Sequence, residues 1–264
     1  MTAYSNIATM NRSFQFAAPY VALISFIIFA VSIYKRNDFT QTLKALPELS
    51  SEPKQSPINR PAFLTEYNKE TFEVIPKYDY EIYGLVVSYR LHDANGSTMI
   101  HDLNKDHLNV ADFCVVWGTS ADPQLLKAME FSNGQFTCNY GASSHQVWED
   151  FNHNQLSNNH LLATDENIRS AIDRIRIGDQ IHIKGWLSHY VNPMGYERGT
   201  STTRTDTGNG ACETVFVNEI HILQSMSTEW RHLIWLSFLS LSAALWTIYH
   251  TPVVARQYEK SKNK

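Results

Sequence analysis

Two runs without a single Asp, Glu, Lys or Arg lie near the two ends of this chain, and they constrain its fold more than anything between them. Ser13 to Tyr34 is 22 residues long and His232 to Ala255 is 24, each long enough for an apolar helix to cross a bilayer. A helix buried in a soluble core is rarely apolar on every face over such a length. The aromatics Tyr20, Tyr34, Trp235 and Tyr249 lie near the edges of the runs, where interfacial belts form. A cleaved signal peptide fits the first run poorly, because Arg12 is the only basic residue ahead of it, Ala30-Val31-Ser32 is a weak cleavage site, and Lys35-Arg36 follow directly. The sequence therefore predicts two transmembrane helices, near 17–34 and 233–250, packed on each other through Ser237, Ser240, Ser242, Ala243 and Ala244.

Basic residues flank both runs, and two spans cannot place both flanks on the same side. Arg256, Lys260, Lys262 and Lys264 outnumber Lys35, Arg36 and Lys44, so the expected arrangement has both termini cytoplasmic and residues 37–230 extracytoplasmic. That segment holds 14 basic against 25 acidic residues, a net of −11. Such a charge repels polyphosphate at long range and disfavours nucleic acid as a partner. The bilayer itself and a protein partner, or a second copy of the chain, are the expected partners. The three cysteines, Cys114, Cys138 and Cys212, have no CxxC spacing and cannot all pair within one chain. Each is readable as a small buried hydrophobe, while an oxidising compartment would allow one disulfide, of unknown pairing, and leave one thiol.

The expected organisation is a tail and first span over 1–36, a tether over 37–77, a β domain over 78–225 and a second span with a basic tail over 226–264. Pro47, Pro53, Pro57 and Pro61 among Ser, Lys and Glu mark the tether as extended. Tyr78 to Leu91 is dense in aromatic and β-branched residues, with Gly84 where a long strand bends, and Asn95-Gly96 follows as a hairpin turn. After a polar region from His101 to Asp112, Phe113 to Trp117 reads as a short buried strand. Asp122 and Pro123 open a short helix, and Gln135 to Tyr140 is a hairpin strand. Asn152, His153, Asn154, Asn158, Asn159 and His160 favour turns over regular structure. Thr164 caps a helix striped by Ile168, Ala171, Ile172 and Ile175. That helix leads into the best-specified strand, Gly178 to Val191, where Ile181, Ile183, Gly185 and Leu187 alternate with His182, Lys184, Trp186 and Ser188. Gly185 in mid-strand marks a bulge or a tight bend. A long polar loop and a last strand over 214–223 complete the domain.

This order, with its GDxIxIxGxL pattern at Gly178 to Leu187, resembles the OB-fold superfamily over residues 78–223. The fold class expected is mainly β with two terminal transmembrane helices, the domain being a small OB-like β-barrel, or an open β-sandwich of the same strands, with one or two short helices. The resemblance implies a ligand edge formed by the 198–213 loop and the outward aromatics Trp186 and Tyr190. Arg198, Arg204 and Asp206 are the candidate polar contacts, with Arg204 gripping a carboxylate or phosphate. The competing reading makes Arg204 and Asp206 a surface ion pair. Asn158 and His160 form the second candidate edge. Cys212 or Cys138 with His160 or His145 would be a nucleophile and base only if folding brings them together. No histidine pair has zinc-site spacing, His153 and His160 or His101 and His107 included, so neither a metal nor a cofactor is expected. A membrane-anchored binding or assembly module is favoured over an enzyme. The alternative is a hydrolase or transferase using the 198–213 loop, which requires Cys212 or Asp206 within hydrogen-bond reach of a histidine.

Overall fold

The computed structural model describes residues 2–40, 43–92, 103–134, 136–206 and 211–250, with the backbone alone over 2–16. The Asn95-Gly96 hairpin and His101 lie outside the described residues. The rest fall into two compact units, one drawn from 1–38 and 227–264 and the other from 39–226.

In the first unit, helix α1 (Thr2–Lys35) packs on a terminal helix (Glu229–His250). Over Ala17–Lys35 and Glu229–His250 both are long and apolar enough to cross a membrane. Small side chains make the contact: Ser25, Ser32, Ser237 and Ala244 are buried, and Ser25 Oγ donates to Ser240 Oγ at 2.9 Å. Ser242 and Ala243 are exposed, so only part of the expected small-residue face is used.

In the second unit the elements run β1 (Lys54–Pro57), β2 (Phe63–Tyr67), β3 (Glu70–Leu91), β4 (Asn109–Val116), α2 (Pro123–Leu126), β5 (Met129–Asn133), β6 (Cys138–Ala142), α3 (His145–Asp150), β7 (Leu156–Leu162), α4 (Glu166–Arg174), β8 (Gln180–Val191), β9 (Glu197–Arg198) and β10 (Glu213–Gln224). The terminal helix of the first unit is α5. Strand β3 pairs antiparallel with β8 along Glu73–Leu85 and with β4 along Leu85–Leu91. β4 pairs antiparallel with β7, β7 parallel with β10, and β10 antiparallel with β8. The pairing path β3, β4, β7, β10, β8 thus returns to β3. Its enclosed side carries the main core, where Ile82, Val86, Phe113, Val115, Leu161, Ile181, Ile183, Leu187 and Val215 meet Ile172 and Ile175 at the α4 end. At Gly185 a Cβ would collide with the carbonyl oxygen of Phe216, and β10 is irregular between Val217 and Glu219, directly beside it. Close backbone approach next to a bulge is therefore what requires glycine there.

Three expectations are corrected. The segment read as a tether packs on the β unit: Leu43 and Leu49 are buried, Leu46 N donates to Gln180 Oε1 at 2.7 Å, and β1 and β2 both pair with β3. Its prolines suit this packing. Pro47 opens a 3₁₀ turn, and Pro57 ends β1, an edge strand where a missing N–H costs little. Residues 156–162, read as turn-forming, are the buried strand β7. Residues 152–155 act as expected: His153–Gln155 is a 3₁₀ turn, and the Asn152 side chain caps it at Asn154 N. Buried partners accommodate most of the polar residues of β7: Ser157 meets Glu213, Asn159 meets Tyr80 and His160 meets Asp112. Finally, the helix cap is Asp165, which accepts from Asn167 N and Ile168 N, rather than Thr164.

Candidate functional site

Asp112 interrupts the apolar run of β4 and stands directly opposite His160 in the antiparallel pairing with β7. Alternation along the two strands puts Asp112 and Cys114, with Asn158 and His160, on the face away from the main core. Asp112 is fully buried, with Oδ1 2.5 Å from His160 Nδ1 and Oδ2 2.9 Å from His92 Nε2. Burial alone would raise the Asp112 pKa, but the charge and hydrogen bond of His160 and the contact with His92 outweigh it and hold the carboxyl far below the usual range. Burial opposes charging of His160 as well. There the Asp112 charge and hydrogen bond win, with a further contribution from Cys212, and the imidazole is pushed up to about 9. At neutral pH the pair is an ion pair.

Cys212 immediately precedes β10, and the parallel register that matches Glu213 to Asn159 brings it beside Asn158. Asn158 Nδ2 lies 3.4 Å from the sulfur, and the thiol lies 3.9 Å from the Phe136 carbonyl oxygen. Cys212 is free and partly exposed; Cys114 and Cys138 are joined in a disulfide that ties β4 to β6. Phe136 covers this face. Its carbonyl accepts from Asn158 Nδ2 at 3.1 Å, and its ring lies 6.0 Å from that of His160 and 6.1 Å from that of His92. Phe136 adopts φ +60°, a left-handed conformation that a bulky residue takes only under constraint.

On its other side Phe136 borders a cavity of about 460 Å³, walled by Asn104, Asp106, Asn192, Met194, Tyr196 and Arg198. Asn192 shapes the wall: its Oδ1 accepts from Met194 N and Tyr196 N, and its Nδ2 donates to Asn104 O at 2.8 Å. The Arg198 guanidinium lies 3.7 Å over the Phe136 ring, with Nη1 buried and without a hydrogen-bond partner among the described residues. Asp106 accepts from Tyr190 OH at 2.7 Å; burial nonetheless raises its pKa.

The residues expected to form one edge are separated. Arg198 lies on the cavity, and Asn158 and His160 lie behind Phe136. Tyr190, expected to face outward, is fully buried among Phe72, Val74, Leu108 and Leu162, because the β2–β3 hairpin extends past the end of β8 and covers it. Trp186 belongs to a different groove, with Lys54, Tyr80, Glu81 and Asn218, and the Arg60 guanidinium sits 3.9 Å over its ring. Arg204 grips the protein's own carboxylate rather than a ligand's: it pairs with Glu213 at 3.1 Å, donates to Asn154 O at 2.9 Å and lies over Trp117. Asp206 accepts instead from Ser201 Oγ at 2.6 Å. Burial raises Glu213 to about 7, against the opposing effects of Ser157 and Arg204.

Sequence reading missed Asp112, His92, Asp106 and Phe136. The available signal was a single acidic residue inside the run NVADFCVV. Among the described residues no group of three or more His, Cys, Asp or Glu is arranged to hold a metal ion. The fold and site define a β-sheet protein with two apolar terminal helices and a buried carboxylate–imidazole pair beside a free thiol. Comparison with known protein families, with curated proteins and with solved structures finds no match for this chain.

Proposed function

We propose that this chain is a membrane-anchored binding module. Its two apolar helices span the bilayer with both termini cytoplasmic, and residues 39–226 form an OB-type barrel outside that receives a polar ligand or a segment of a protein partner. The strand order supports the barrel, since a five-stranded circuit of β3, β4, β7, β10 and β8, with α4 leading into β8, is the order of an OB barrel. The Cys114–Cys138 disulfide supports an oxidising compartment for this unit. Its acidic balance argues against nucleic acid.

The observation that carries the binding reading is where the cavity lies. OB barrels bind on the face of their second and third strands, between the first–second and fourth–fifth connections. In this chain those are β4 and β7, the segment containing Asn104 and Asp106, and the segment containing Asn192 to Arg198. A photo-crosslinking residue placed at Tyr196 in the full-length protein, in its native membrane, is expected to give a discrete adduct that Arg198→Ala removes. The same residue at Leu64, also exposed but away from the cavity, is expected to give none. Identical adducts from both positions would remove the basis for a defined ligand edge.

A further inference from the structure

The face beside the cavity holds a chemical grouping that binding alone does not use. Cys212 is the one cysteine outside the disulfide, and it is partly exposed, whereas its neighbours His160 and Asp112 are buried. The thiol lies 3.4 Å from Asn158 Nδ2, on the same face of β7 as His160 two residues along, and the imidazole Nδ1 is held 2.5 Å from the Asp112 carboxylate. Asp112 and His160 come from the paired strands β4 and β7, and Cys212 is the residue before Glu213, the first residue of β10 in register with β7. An accessible nucleophile, a base and a buried carboxylate that orients the base are the working parts of covalent acyl transfer.

We propose that Cys212, His160 and Asp112 form a catalytic set that transfers an acyl group from an ester or thioester to water or to a second acceptor. Neutral His160 takes the thiol proton as Sγ attacks the carbonyl carbon; the C–S bond forms and the carbonyl electron pair moves onto oxygen. Asn158 Nδ2, 3.4 Å from Sγ, is the side-chain donor placed to meet that oxyanion. Collapse breaks the bond to the leaving oxygen or sulfur, which takes the proton from His160 and departs as alcohol or thiol. In the second half His160 takes a proton from water, the water oxygen attacks the thioester carbon, the C–S bond breaks and Sγ recovers the proton, releasing the carboxylic acid. Asp112 holds the ring in place throughout and pairs with the imidazolium each time it forms. The proposal rests on the binding reading only for where the body of the acyl donor lies, across Phe136 in the cavity.

The test uses full-length protein in detergent micelles with p-nitrophenyl acetate as probe. The expected result is an acetyl group on the Cys212 peptide and p-nitrophenolate release over many turnovers, after subtraction of the rate with Cys212→Ser. Because His160 must be neutral to accept the proton and its pKa is raised to about 9, release should climb about tenfold per pH unit above neutral and level off near that value. Asn158→Ala is expected to slow release by roughly 100-fold. His160→Gln should leave an acetylated Cys212 that does not turn over. If that variant does not fold, the wild-type pH profile and Cys212→Ser, altered at a partly exposed position, still decide the matter. Release unchanged in Cys212→Ser, or acetylation elsewhere in the chain, would overturn the proposal. So would Cys212 isolated in a disulfide with Cys114 or Cys138, which would make it a redox thiol. Loss of the Tyr196 crosslink with turnover retained would count against the cavity reading alone.

Discussion

At the scale of single residues, Asp112, His160 and Glu213 are buried groups with shifted pKa values whose signs bear on how stability depends on pH. Asp112 is held far below its ordinary value, so its contribution is present at neutral pH and lost only in strong acid. His160, raised from 6.5 to about 9, contributes fully below about pH 6.5 and loses that contribution as pH climbs through 9. Glu213, raised from 4.5 to about 7 by burial, likewise loses its contribution as pH rises through that range. Both raised groups therefore make the β unit less stable from mildly acidic to alkaline pH. The His160 share is on the order of 3 kcal/mol, so the melting temperature should fall by about 10 °C between roughly pH 6 and 9. His160→Gln should melt lower at pH 6 and be nearly flat above pH 7.5; an unchanged slope in that variant would place the titration elsewhere. Arg204→Ala should cost about 3 kcal/mol, because it leaves Glu213 buried without its cation. The double variant Arg204→Ala with Asp206→Ala is therefore expected to lower the melting temperature markedly, as structural residues do, and thermal denaturation checks this.

At the scale of elements, the legible parts of the fold were those whose periodicity and burial agree. β8 was readable because Ile181, Ile183 and Leu187 alternate into the main core, and α4 because Ile168, Ala171, Ile172 and Ile175 make one stripe. β7 was not, because Asn158, Asn159 and His160 are turn formers by local chemistry. They are held in a strand by partners distant in sequence, such as Tyr80 OH donating to Asn159 Oδ1 at 3.1 Å. The same reason hid the site. His160 was on the candidate list for its type, but the Asp112 that orients it becomes visible only through the β4–β7 register. The tether reading failed because prolines look extended whether or not the extended segment is docked. The β5–β6 hairpin is fixed by a bond that spacing could not assign: Cys114 and Cys138 are 24 residues apart, with Cα atoms 5.7 Å apart. Removing it with Cys114→Ser and Cys138→Ser should cost about 3 kcal/mol through the freed loop. It should also release Phe136, so that Cys212 is alkylated faster by iodoacetamide. Alkylation at the wild-type rate would show that the hairpin does not shield the thiol.

At the scale of the whole molecule, the two units solve different solvation problems. Along α1 and α5 the exposed side chains include Ile24, Phe26, Ile27, Trp235, Leu236, Leu239 and Trp246, an apolar surface that water would penalise and hydrocarbon would not. Residues 39–226 carry the opposite pattern: three buried apolar clusters, a pairing path that closes on itself, and an excess of acidic over basic residues. The core clusters of this unit draw on residues from Leu43 to Met226, which gives it an apolar core of its own. The expected outcome is that the full chain stays with membranes through an alkaline carbonate wash, while a fragment of residues 39–226, secreted so that its disulfide forms, is soluble and melts in one cooperative transition. A fragment begun at Tyr78 should not do so, because it lacks β1, β2, the first residues of β3, Leu43 and Leu49. Comparing the two fragments by circular dichroism and calorimetry separates a docked N-terminal segment from a tether: equal cooperative melts would mean that residues 39–77 add nothing to the fold. A fragment of 39–226 that aggregates or melts without cooperativity would mean that the helices are part of the folding unit.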